Sequence, residues 1–174
     1  ILDIGAGNYL AALLIKNYFK PLIYTGIDMN YNKNANQINN LNQINGDTFK
    51  ALDGLKNKYD FIILDNILEH LENPRIILDK IKMISRKNTI IYVSVPNKYN
   101  LKNFRDFNRE YHHPSEHIQV FTNKSIHKLF YVCGFKQLNF FRRFEFLSSH
   151  LHILISLLGF PIFGIYKVFI IKNI

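Results

Sequence analysis

The sequence predicts an α/β protein built on a doubly wound, mostly parallel sheet. Three observations carry that prediction. Residues 1–8, ILDIGAGN, run from an apolar strand through an aspartate into Gly-x-Gly, with a helical pattern directly behind. Apolar runs of strand length then alternate with segments of helical period at least four times. Successive strand-like runs also end in polar or acidic residues: the Gly5–Asn8 turn, Asp28, Asp47 and Asp65-Asn66. In a doubly wound sheet ligands bind beyond the carboxyl ends of the strands, so these four termini converge on one rim.

Each element has a local reason. Residues 1–4 are the first strand, and Gly5-Ala6-Gly7 turns the chain where a Cβ would block the dihedrals or the approach of a ligand to the backbone. Residues 9–19 place Leu10, Leu13, Leu14 and Phe19 on a helical period that Pro21 closes. Residues 22–28, LIYTGID, form the second strand. Residues 30–45 are half asparagine, and the pattern leaves a polar helix and a loop equally open. Residues 43–47, QINGD, hold a short third strand ending in Asp47, and 48–57 a short helix on Phe49, Leu52 and Leu55. Residues 59–65, YDFIILD, are a near-continuous apolar run, as in a strand buried on both faces. Asn73 and Pro74 read as N-cap and first residue of a helix to about Ser85, burying Ile77, Ile81 and Ile84. Residues 89–95 are a further buried strand, stopped by Pro96. Residues 97–120 show no period, and so long a stretch in a compact domain covers or binds a ligand. From Thr122 a helix runs to Cys133 and Gly134, a C-terminal glycine, with a strand over 135–141.

Composition narrows the class. The 174 residues suit one domain, and 48% hydrophobic with 20% charged residues is a globular balance. The single cysteine, Cys133, leaves no internal disulfide or Cys-rich zinc site and fits a reducing, cytoplasmic setting. The chain begins inside a strand without Met, so the start reads as truncated. The net charge of +9 invites nucleic acid as a partner, but the lysines are scattered with no basic run, and none is expected.

The rim chemistry favours a ligand with a cationic centre. The turn Gly5-Ala6-Gly7-Asn8-Tyr9-Leu10 lacks the third glycine of G-x-G-x-x-G, and no G-K-[ST] follows. Asp3 sits two residues before the first glycine, a poor neighbour for a pyrophosphate. Asp28 lies where a carboxylate accepts both hydroxyls of a ribose.

With these residues in view, the sequence resembles the class I S-adenosylmethionine-dependent methyltransferases. It is most similar to the small-molecule and glycan branch that contains the ubiquinone-biosynthesis O-methyltransferases. The matching segments are ILDIGAGN, YTGID, INGD, YDFIILDNILEHLENP, IIYVSVPN and EHIQVFTNKSIHKLFYVCGF. The resemblance implies a Rossmann-like sheet with S-adenosylmethionine as cofactor. It places Asp3, Gly5 and Gly7, with Ala6 between them, along the methionine part. Asp28, with Met29 beside it, would hold the ribose hydroxyls, and Asp47 with Gly46 the adenine edge. Asp65 and Asn66 would sit near the sulfonium and the acceptor. One departure stands out: family members often read D-x-G-x-G-x-G, and Tyr9 occupies the third glycine here, where it would crowd the carboxylate pocket.

Methyl transfer to a hydroxyl needs a proton acceptor. His70, in LEH, reads equally as catalytic or as a capping or packing residue. His112 and His113, ahead of Pro114, are acceptor-site candidates. His117 matches a family position and is expected to hydrogen-bond the adjoining loop. Glu69 and Glu110 read as surface charges. No metal site is expected, because H-H-P-S-E-H lacks helical ligand spacing and no Cys is near. Arg105 and Arg109 would grip an acidic acceptor or else remain solvated.

Residues 146–166 contain no Asp, Glu, Lys or Arg, but Gly159-Phe160-Pro161 interrupts them. The resemblance implies a last strand, residues 165–171, inserted antiparallel into the sheet. Residues 147–163 would then be an apolar helical insertion capping the acceptor pocket. Attachment to the inner face of the membrane is the next reading, and a full span the last. The expectation is thus one domain, residues 1–174, transferring a methyl to a hydroxyl of a small molecule or surface glycan. Two alternatives are a catalytically degenerate binding or scaffold module, which Tyr9 supports, and a NAD- or nucleotide-sugar-dependent enzyme on a similar sheet, against which the missing third glycine speaks.

Overall fold

A computed structural model of the chain describes residues 1–15, 23–30, 32–96, 117–137 and 166–173. Within them lie β1 (Leu2–Ile4), α1 (Leu10–Ile15), β2 (Tyr24–Asp28), β3 (Leu41–Asn45), α2 (Thr48–Gly54), β4 (Tyr59–Asp65), α3 (Pro74–Ile84), β5 (Ser85–Pro96), α4 (Asn123–Val132), β6 (Phe135–Gln137) and β7 (Tyr166–Asn173). Short 3₁₀ turns cover Lys33–Gln37 and Leu68–His70. The strands form one sheet in the order β3-β2-β1-β4-β5-β7-β6. β1 to β5 pair in parallel, and β7 runs antiparallel between β5 and β6. The chain winds outward from β1 to β3, then returns and winds the other way through β4 and β5. The switch point falls between β1 and β4, where a doubly wound sheet opens its ligand crevice.

Strand alternation divides the core into two unlike faces. Leu2 and Ile4, Ile62 and Leu64, and Ile91 and Val93 point to one side, where Ile77, Leu78, Ile81, Ile126 and Phe130 seal them. The intervening positions face the side of α1, packed mainly by small or aromatic residues: Ala6, Ala11, Ala12, Tyr9, Tyr24 and Tyr92. The first face is a closed aliphatic layer, and the second leaves room for a cleft.

The local signals of α3 and α4 are realised. The Asn73 side chain accepts from the Arg75 N–H at 3.2 Å with Pro74 at the helix start. Thr122 and Ser125 form a reciprocal capping box at the start of α4. Gly134, at φ +79°, ends that helix in the left-handed region. The antiparallel insertion of the last strand is also found.

Other expectations need correcting. The asparagine-rich stretch is neither a continuous helix nor a loop throughout: it makes one 3₁₀ turn and then β3. That strand starts at Leu41 and stops at Asn45, because register with β2 pairs Tyr24 with Leu41 and Asp28 with Asn45. Asp47 is therefore the N-cap of α2, its Oδ1 accepting from the Lys50 N–H at 2.9 Å, rather than a strand end. β5 is longer than expected, beginning at Ser85 directly behind α3. Residues 138–165, with the expected cap over 147–163, lie outside the described residues. Among those described, no helix is long and apolar enough to cross a membrane.

Tyr9 has the left-handed backbone of a glycine position, φ +55°, yet its ring is almost fully buried, 1% exposed. The ring lies over Gly26 in β2, with the hydroxyl 3.4 Å from the Gly26 carbonyl. A Cβ on Gly26 would collide with the Tyr9 ring and press on Ala6. The side chain thus packs on Gly26 beside Ala6 and is not among the residues that line the cleft. Gly26→Ala should cost about 1–3 kcal/mol through overpacking, and much less in a Tyr9→Ala background. Urea unfolding of the four proteins of this double-mutant cycle measures the coupling; equal costs in both backgrounds would refute the interlock.

Candidate active site

The cleft at the switch point is lined by Asp3, Gly5, Ala6, Asn8, Leu10, Ala11, Ile63, Asp65 and Tyr92. The cavity itself is small, about 100 Å³, and opens to solvent. The turn that forms its floor is set by backbone geometry. Gly5 has φ +74° and Gly7 φ +51°, both costly for a side chain. A Cβ on Gly5 would collide with Ile67, whereas one on Gly7 would meet nothing nearer than the Gly5 carbonyl at 4.0 Å. Gly7 therefore keeps open space above the backbone, where a ligand can approach. Gly5 and Ala6 donate to the Ile27 carbonyl at 2.8 and 3.0 Å, tying the turn to β2.

Three carboxylates surround the turn. Asp28 accepts from the Gly7 N–H and the Asn30 N–H, both at 2.8 Å, which fixes its side chain at the end of β2. Asp3 is 4% exposed, and its Oδ2 accepts from the Tyr24 hydroxyl at 2.5 Å. Burial pushes the Asp3 carboxyl up to about 7; the Tyr24 hydrogen bond opposes this, and Asp65 and Asp28 add to it. Burial, then the Asp3 charge, raises the Tyr24 phenol, so Tyr24 remains the donor of that pair. At the end of β4, Asp65 Oδ1 accepts from the Ser94 hydroxyl and, at 3.3 Å, from the Asn66 side-chain amide. Asn66 is left-handed, φ +54°, and its Oδ1 is buried without a hydrogen-bond partner in the described structure. Asparagine adopts that backbone readily, and its unpaired acceptor at a strand end offers a partner to a ligand donor.

The expected cofactor residues are brought together in part. Asp3, Gly5, Ala6 and Asp65 line the cleft, and Gly7 and Asp28 are joined directly. Gly46 donates its N–H to the Asp28 carbonyl at 3.0 Å, so Gly46 and Asp47 continue the rim beyond Asp28. Met29 is 66% exposed on that rim. His112, His113, Arg105 and Arg109 lie outside the described residues. His70 and His117 are edge to face, ring centroids 4.8 Å apart. The segment carrying His117 is strapped to the turn after β4: Gln119 donates its backbone N–H to the Glu69 carbonyl at 3.0 Å, and its side-chain amide to the Leu71 and Glu72 carbonyls at 2.8 Å.

Glu69 corrects its reading as a surface charge: it is 1% exposed, because the strap closes over the Leu68–His70 turn. Burial pushes its carboxyl up to about 7, its own backbone N–H opposes this, and Asp65 adds to it. Tyr24, Tyr92 and Ser94 were also missed as site residues. Strand parity was their available signal, since Tyr24 faces Asp3 across β1 and β2, and Ser94 pairs with Asp65.

This site belongs to a recognisable family. A family model described as a methyltransferase domain matches residues 1–139, and the chain belongs to that family. No curated protein matches its sequence. Solved structures share the fold. A SAM-dependent methyltransferase from Archaeoglobus fulgidus is 21% identical with a TM-score of 0.66, covering 99% of this chain and 85% of that one. The plantazolicin methyltransferase BamL, solved with SAH and a triazolic desmethylPZN analog, is 18% identical with a TM-score of 0.70, over 99% and 76%. Magnesium protoporphyrin IX methyltransferase from Synechocystis PCC 6803, with bound SAH, is 16% identical with a TM-score of 0.64, over 99% and 73%. The fold is that of the S-adenosylmethionine-dependent methyltransferases, and S-adenosylmethionine is the cofactor this fold serves. The glycine floor, the open space above Gly7 and the three carboxylates fit a ligand that is cationic at one end and a ribose at the other.

The raised Asp3 carboxyl has a consequence for stability. The folded protein holds the Asp3 proton up to about pH 7 and the unfolded chain only to about 3.8, so stability falls as pH rises between those values. Asp3→Asn keeps an oxygen for Tyr24 and should remove that loss, stabilising the ligand-free protein at pH 8 by roughly 2 kcal/mol or more. The same variant should bind S-adenosylhomocysteine at least tenfold more weakly. Denaturant unfolding at pH 5 and 8, with calorimetry on the same samples, checks both; a variant no more stable at pH 8 would contradict the account.

Proposed function

We propose that this protein transfers a methyl group from S-adenosylmethionine to a hydroxyl of a small molecule or of a surface-glycan intermediate. The observation that carries the reading is the Gly5–Gly7 floor set among Asp3, Asp28 and Asp65. When bound, the cofactor supplies a methyl group on a cationic sulfonium, ready for in-line displacement. Asp28, already oriented by the Gly7 and Asn30 amides, is the ribose ligand. Asp3 takes the amino group of the methionine part, and Gly46 with Asp47 the adenine edge. Asp65 and Asn66 stand at the reacting end, where the Asn66 carbonyl oxygen awaits a donor. The chain's main contribution is to hold donor and acceptor in a near-attack arrangement.

A hydroxyl acceptor must also lose a proton, and titratable side chains follow the end of β4: Glu69 and His70, with His117 against them. That grouping supports oxygen as the acceptor atom. The small-molecule reading draws on neighbours named for plantazolicin and magnesium protoporphyrin IX. Sequence pattern supports Arg105 and Arg109 as the grip on an acidic acceptor and residues 97–120 as its cover. It likewise supports residues 147–163 as an apolar cap that also meets a membrane surface at its cytoplasmic face. The degenerate-module alternative loses its support, because the Tyr9 ring packs on Gly26 and does not line the cleft.

Methyl-labelled S-adenosylmethionine, incubated with a panel of phenols, sugar nucleotides and amines, should give methyl ethers. Methylation confined to nitrogen would refute the hydroxyl reading. Asp28→Ala should weaken S-adenosylhomocysteine binding tenfold or more, about 1.4 kcal/mol; unchanged affinity would remove Asp28 from the site.

A further inference from the structure

The Asp3 carboxylate is approached from two sides. One is the cleft, which Asp3 helps to line; the other is β2, from which the Tyr24 hydroxyl donates to Oδ2 at 2.5 Å. Both residues are 4% exposed, so the bond is shielded from water. Strand register brings them together: Asp3 pairs with Gly26, and Tyr24, two residues before it, shares its face of the sheet. Burial, then the Asp3 charge, raises the Tyr24 phenol above its ordinary range, so the hydroxyl stays a donor at every working pH. With Oδ2 occupied by that donor, a proton on Asp3 sits on Oδ1, the oxygen left for the cleft. A cationic ligand group and the Asp3 proton thus compete for one atom. The other titratable groups around the pair are Asp28 at the end of β2, Asp65 at the end of β4 and the Tyr9 phenol at the turn into α1. Tyr92 of β5 lines the same cleft, α1 carries no charge, and none of the described lining residues is basic.

We propose that Tyr24 is a positioning residue for the cofactor: its hydroxyl pins Asp3 by Oδ2 and so presents Oδ1 to the ammonium of the methionine part. This inference rests on the methyltransferase reading of the cleft and deepens it. Tyr24 is not among the residues lining the cleft, so it acts through Asp3. Removing its hydroxyl frees the carboxyl to rotate and takes away a hydrogen bond that favours the charged form. The competition for Oδ1 then shifts toward the proton. The signature is a pH profile. Burial puts the Asp3 carboxyl at about 7, so ligand affinity rises with pH up to that value and levels off above it. Glu69 is pushed to a similar value, but it belongs to the turn after β4 and does not line the cleft.

Calorimetric titration of the full chain with S-adenosylhomocysteine between pH 5.5 and 8.5 tests this. The unaltered chain should lose affinity about tenfold per unit of pH on the acidic side of its break. Tyr24→Phe keeps the ring and its packing. It should bind roughly tenfold more weakly at pH 7 and move the break upward by about one unit, with much of the loss regained by pH 8.5. Asp3→Asn should bind weakly with no break near pH 7. Placing 3-fluorotyrosine at position 24 gives a stronger donor of nearly the same shape, and it should move the break downward; this arm remains decisive should Tyr24→Phe fold poorly. A Tyr24→Phe profile that coincides with the unaltered one, or lies below it by the same factor at every pH, would overturn the positioning role. So would a break that survives in Asp3→Asn or stays fixed with the fluorinated ring. Absence of binding by the folded, unaltered chain at every pH would remove the cofactor assignment of the cleft and this inference with it, whereas binding without these profiles removes the role of Tyr24 alone.

Discussion

The carboxylate of Asp3 is carried by β1 into the face of the sheet that α1 covers, and much of the site follows from keeping it there. Desolvation favours its protonated form, and one strong hydrogen bond from Tyr24 offsets part of the cost. The aspartates at the ends of β2 and β4 make ionisation harder still. A cation entering the cleft relieves both repulsions at once, which suits the site to a positively charged ligand. The polypeptide keeps a locally unfavourable carboxylate because the opposite face of the sheet is a closed aliphatic layer that supplies the cohesion.

The glycine turn and the Tyr9 ring show how a departure from a motif is absorbed. The third position of the turn needs a left-handed backbone, and tyrosine adopts it at a cost of order 1–3 kcal/mol. Burial of the ring over Gly26 offsets that strain. The missing glycine has in effect moved from the turn to the neighbouring strand, where Gly26 makes room for the ring. Cleft shape and core packing are coupled through this pair, so that a substitution in β2 is felt in the floor of the site.

The turn after β4 is the second place where packing and chemistry meet. Asn66 is held left-handed with a buried carbonyl oxygen, and Glu69 is shut in by the strap of 117–121. Neither feature improves packing. Both leave buried polar atoms without a hydrogen-bond partner among the described residues, close to the Asp65 carboxylate at the end of β4.

Much of this was legible from residue order. Period-two and period-3.6 apolar patterns placed the parallel strands and α3 and α4, because burial on the faces of a sheet demands those periods. Asn73-Pro74 and the Gly5–Gly7 turn were readable because capping and positive φ restrict residue choice. The carboxylates at strand ends were readable because topology sends those ends to one rim. The direction of the Tyr9 ring, the burial of Glu69 and the meeting of His70 with His117 were not. Each depends on contacts between segments far apart in the chain: β2 receiving a ring from the β1 turn, and a strap folding back over the turn after β4. Local sequence determines which conformations a segment prefers, whereas the packing of distant segments decides which side chains lose water, and with it their charge and their chemistry.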